Sequence, residues 1–81
     1  MKLEKIKENH YKFVYKKVAF YFVAYKRNSN YSYLGLTHGA IFRFDKYRYD
    51  CFISKELLED KKTLKTYCES MAEGFIKKHD L

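Results

Sequence analysis

The 81-residue chain has no proline and no tryptophan, only three glycines and only two cysteines. Each scarcity excludes something. Without proline, no segment is barred from being a central strand on that ground. Gly35, Gly39 and Gly74 fit neither GxGxxG nor GxxxxGK, so no phosphate-cradling loop is encoded. Cys51 and Cys68 make no CxxC pair, which removes a zinc ribbon and a secreted disulfide framework. Both fall on apolar faces of their segments and read as small buried hydrophobes. His10, His38 and His79 stand far apart, without metal-ligand spacing. No apolar run approaches the length of a membrane span, and MKLEKIKENH lacks the apolar core of a signal peptide. A cytoplasmic protein with reduced thiols is expected.

Acidic residues are scarce where basic ones crowd. Residues 1–54 hold eleven Lys/Arg against four Asp/Glu, a balance of +7, whereas residues 55–81 hold six of each. A metal-dependent nuclease needs several convergent carboxylates, and four in the basic portion do not supply them. No cofactor and no catalysis are expected. Such one-sided charge suits a polyanionic partner, either nucleic acid or an acidic protein or nucleoprotein surface.

What the chain does have is rings. Nine Tyr and seven Phe make 20% of the sequence, and hydrophobic residues make 47%, too many for a disordered chain. Rings bury much area per residue, so even a short chain can close a core with them. At this length one domain, residues 1–81, is expected.

Residues 1–9 alternate charge with Leu3 and Ile6 and read as a helical turn or an arm. From His10 the period becomes two, with Tyr11, Phe13 and Tyr15 on one face. VAFYFVAY (18–25) is apolar on both faces, as a central strand covered on both sides would be. Asn28-Ser29-Asn30 reads as a turn, YSYLGLT (31–37) as a strand with Gly35 at a bulge or a close backbone approach, and His38-Gly39 as another turn. FRFDKYRYDCF (42–52) reads as a hairpin. A four-residue loop, Asp45–Arg48, would oppose Arg43 to Asp50, whereas a two-residue loop would oppose Arg43 to Arg48. The longer loop is therefore expected, with Lys46, Tyr47 and Arg48 held out at its tip.

Ser54 suits a helix N-cap, and Leu57, Leu58, Leu64, Tyr67, Cys68, Met71, Ala72, Phe75 and Ile76 recur at helical spacing. Lys61 interrupts the stripe, so Asp60-Lys61-Lys62 marks a kink or a boundary between short helices. The sum is α+β: an antiparallel sheet of about four strands over residues ~10–53, with one C-terminal amphipathic helix over ~55–78 packed on one face. The helix stripe is needed for the core, which argues against a membrane-surface role. One helix covers one face. The other requires a second copy, a protein or nucleic-acid bases, so a homodimer is expected.

The functional expectation is a small basic, non-catalytic nucleic-acid-binding protein. Lys12, Lys16, Lys17, Lys26, Arg27, Lys46 and Arg48 would contact phosphates, and Tyr47 would stack on bases, with Tyr11, Tyr15, Tyr31 and Tyr33 as rim rings. The alternative is a phage- or plasmid-type interaction module that inhibits a host nuclease or a defence nucleoprotein complex, as anti-CRISPR proteins do. Tyrosine-rich surfaces serve protein interfaces equally well.

Overall fold

Alternation of rings with polar residues builds a sheet, and the three-and-four spacing after Ser54 builds the helix that covers it. A computed structural model describes residues 1–26 and 38–81. Five strands, β1 (Glu4–Lys7), β2 (His10–Tyr15), β3 (Val18–Lys26), β4 (His38–Phe44) and β5 (Tyr47–Ile53), form one antiparallel sheet in chain order. They are followed by α1 (Lys55–Glu59) and α2 (Lys61–His79). The fold is α+β, with the helix laid on one sheet face. Neither described helix is long and apolar enough to cross a membrane.

The fifth strand is the segment expected to be a helical turn or an arm. Glu4 lies opposite Lys12, Lys5 opposite Tyr11 and Lys7 opposite His10, so only the first of these pairs sets opposite charges across the ladder. The turn expected at 28–30 and the strand expected at 31–37 lie outside the described residues. His38-Gly39 is no turn. Both residues open β4, where a Cβ on Gly39 would sit 2.5 Å from Tyr25 Cζ. The missing side chain lets Tyr25 lie across the strand.

The β4–β5 hairpin departs from the expected loop. Phe44 pairs with Tyr47, Phe42 with Tyr49 and Arg43 with Arg48, so only Asp45 and Lys46 form the turn. Packing decides the register. The shorter loop sets two ring pairs side by side on the core face, where the longer one would have matched Phe42 with Cys51. The like charges of Arg43 and Arg48 are tolerated because the Arg48 Nε lies 3.2 Å from Asp50 Oδ1. Tyr47 therefore begins the strand and is not held out at a tip.

With so few glycines, the turns use ordinary residues at positive φ. Asn9 (60°), Asp45 (51°) and Asp80 (54°) are of types that tolerate this region, whereas Lys16 (48°) and Lys17 (69°) are not. Both central residues of the β2–β3 turn are left-handed, as a type I′ turn requires.

The helix breaks where the stripe is interrupted. Ser54 makes no side-chain capping bond, but the Asp60 carboxylate accepts from the Lys62 amide at 3.0 Å and from Thr63 Oγ1 at 2.8 Å. Those bonds hold the Asp60 carboxyl below its ordinary range. Leu64, Cys68, Ala72, Phe75 and Ile76 of α2 are buried, and Tyr67 and Met71 pack at the margin. They meet Tyr11, Phe13, Phe20, Phe22, Phe42 and Phe44 of the sheet.

Phe42 touches Phe22, Tyr67 and Phe75 and is wholly buried. Phe42→Ala should lower unfolding free energy by about 3–5 kcal/mol in urea melts. Lys17→Gly should raise it by about 0.5–1 kcal/mol, because glycine adopts the left-handed conformation without the Cβ penalty.

Candidate nucleic-acid interface

Residues directly opposite one another in a ladder share a sheet face. On the face away from α2, Lys12 of β2 lies opposite Tyr21 of β3, Tyr21 opposite Arg43 of β4, and Arg43 opposite Arg48 of β5. Three cations and one ring thus form a straight row across four strands, roughly 14 Å from end to end. Lys12 Nζ stands 5.7 Å from the Tyr21 ring centre. Among the described residues, Lys12 and Arg43 have no ion-pair partner, whereas Arg48 is held by Asp50.

The next row along the strands is His10–Val23–Ile41–Asp50, and the one beyond it is Tyr25–Gly39–Phe52. Tyr21 keeps 43% of its surface exposed, Tyr25 37% and Phe52 39%. With Val14, these make four of the six large apolar residues exposed among the described residues. The face combines a cationic row, two tyrosines and an apolar margin.

The expected phosphate contacts are scattered around this row. Lys12 and Arg48 belong to it. Lys17 and Lys46 lie in the β2–β3 and β4–β5 turns, which the meander places at the same end of the sheet, beside the row. Lys16 turns the other way. Its Nζ lies 2.7 Å from a Glu73 carboxylate oxygen, tying the β2–β3 turn to α2. That bond raises the Lys16 pKa and lowers that of Glu73. Lys26 ends β3 at the opposite end, across from His38. Arg27, Tyr31 and Tyr33 lie outside the described residues.

Tyr47 is on the helix side. Its ring stacks on His79 with centres 3.8 Å apart, and Tyr49 hydrogen-bonds His79 Nε2 through its hydroxyl. These contacts fix the last turn of α2 and leave Tyr47 half-buried. Tyr11 is buried and Tyr15 packs against the core, so neither is a platform on the open face. Sequence reading misses Arg43, Tyr21 and Tyr25. Charge pairing matches Arg43 with Asp50, and the two tyrosines look like cover for a buried face. The two-sided apolarity of 18–25 is the signal that a second face matters.

Among the described residues, no group of three His, Cys, Asp or Glu could hold a metal ion. Cys51 Sγ lies 3.3 Å from the Tyr67 hydroxyl, and Cys68 is buried with its thiol pushed up to about 12, chiefly by burial. Both are free thiols. Burial of Cys68 predicts slow maleimide labelling of that thiol in the native protein at pH 8 and fast labelling in urea. Equal rates in the two conditions would contradict its place in the core. No protein-family model, no curated protein and no solved structure matches this chain.

Proposed function

We propose that the open sheet face binds nucleic acid non-catalytically, through phosphates and with little sequence preference. The row Lys12–Tyr21–Arg43–Arg48 carries this reading. Unpaired cations on a surface attract polyanions, and phosphate neutralisation gives affinity without reading sequence. Lys17 and Lys46 extend the positive charge beyond the row. A flat sheet with exposed rings suits splayed single-stranded bases better than a duplex, whose bases are already stacked. Tyr21 and Tyr25 take the stacking role expected of Tyr47. A second copy laid face to face would bring cationic rows together, which argues for a polyanion here instead.

The competing reading is a protein-interaction module that inhibits a host nuclease or nucleoprotein complex. It would use the same face, with the exposed Val14 and Phe52 as apolar anchors.

Fluorescence anisotropy with a labelled 20-mer single strand and its duplex, over about 50–300 mM salt, separates the two readings. The wild-type protein should bind the single strand more tightly and lose affinity steeply as salt rises. Replacing Lys12 and Arg43 together with glutamine should weaken all nucleic acids and flatten the single-strand salt slope by about 1.4, two contacts' worth. Replacing Tyr21 and Tyr25 with alanine should weaken single-strand binding by about tenfold or more, with a smaller effect on duplex. No binding to either probe at about 50 mM salt would overturn the proposal and favour the protein partner.

A further inference from the structure

The two edges of the sheet are built differently. β1 is four residues long, fully exposed, carries Lys5 and Lys7, and shifts register between them. Shortness, lysines and an irregular ladder are the devices that prevent an edge from pairing with another chain. β5 has none of them. It runs for seven residues in unbroken register with β4, and no lysine lies within it. Among the described residues, β4 is its only strand neighbour.

The ladder fixes which backbone groups of β5 face outward. A two-residue turn closes on a hydrogen-bonded pair, here Phe44 and Tyr47. Alternation then turns the amides and carbonyls of Tyr47, Tyr49 and Cys51 towards β4, and those of Arg48 and Asp50 towards the edge on which no described strand pairs.

We infer that two copies of this chain join by antiparallel pairing of β5 with β5 about a two-fold axis at Tyr49. Charge selects this register. Centring on Tyr49 places Arg48 of each copy opposite Asp50 of the other, twice over, and their outward backbone groups meet as hydrogen-bonded pairs. Centring on Asp50 would oppose two carboxylates, and centring on Arg48 would oppose two guanidiniums. The Tyr49 rings meet on the helix side. A two-fold perpendicular to the sheet keeps both open faces on the same side, so the product is a continuous ten-stranded sheet, roughly 43 Å wide. The dimer expected from the uncovered face forms instead at the edge, and the face stays open. The pairing does not depend on nucleic-acid binding and is measured without it.

Sedimentation of the full chain at about 50 μM, with nucleic acid absent, should give twice the 9.9 kDa chain mass. Arg48→Asp would oppose carboxylate to carboxylate across the joint, and Asp50→Arg would oppose guanidinium to guanidinium, so each single variant should be monomeric. The swap carrying both substitutions restores opposite charges and should be dimeric again. Far-UV circular dichroism of all variants checks that the fold is kept. In hydrogen exchange, the Arg48 and Asp50 amides should gain protection as concentration rises. A monomeric wild type would overturn the association. Single variants that fold and dimerise as the wild type does, or a folded swap that stays monomeric, would overturn this register.

Discussion

Phe75 is the contact through which the two layers become one structure. Its ring lies 4.6 Å from that of Tyr49, 5.0 Å from Phe44, 5.4 Å from Phe42 and 6.5 Å from Phe20, so one helical side chain engages three strands. The stacked Phe13–Phe20 pair extends the cluster towards β2. Aromatic pairs add roughly 0.5–1.5 kcal/mol each beyond the area they bury. That is how a short chain with Leu64 as the one buried leucine among its described residues closes a core. Because α2 is held to this face, the exposed rings of the sheet among the described residues, Tyr21, Tyr25 and Phe52, lie on the opposite one.

The same economy of residue types shapes the connections. Lacking glycine at its tight turns, the chain places Asn and Asp where positive φ is cheapest and accepts strain at Lys16 and Lys17. The strained turn is also the one bonded to α2, through Lys16 and Glu73. Lys16 is exposed and Glu73 half-buried, so the pair contributes direction more than stability. At the other hairpin turn, His79 clamps between Tyr47 and Tyr49, which docks the end of α2. The β2–β3 and β4–β5 turns thus each have a tie to the helix, and the two together fix α2 over the sheet.

Charge on the open face follows from the register that the core chose. Pairing Phe44 with Tyr47 on the buried side leaves Arg43 beside Arg48 on the other. An unfavourable pair on one face is the by-product of a favourable one on the opposite face. Asp50 relieves Arg48 by a contact two residues along the same strand. Arg43 keeps its charge unpaired among the described residues, and so does Lys12, which is what makes the row attractive to phosphate.

The sequence by itself determined the α+β class, the helical stripe from Leu64 to Ile76, the break at Asp60 and the excess of positive charge before residue 55. These are local signals: period two, period three-and-four, a stripe interrupted at Lys61, and a count of charges. It misjudged residues 1–9, where a short charged segment has no periodicity strong enough to identify an edge strand. The pairing of Glu4 with Lys12 exists only once β2 is in place. It also misjudged the hairpin loop, because charge pairing and turn chemistry both favoured the longer loop, and the ring contacts that α2 imposes on Phe42, Phe44 and Tyr49 are not local. Tertiary structure alone decided that Lys12, Tyr21, Arg43 and Arg48, four residues from four strands, stand in one line. A line across strands depends on every register between them, and each register is set by packing on the face that the line does not share.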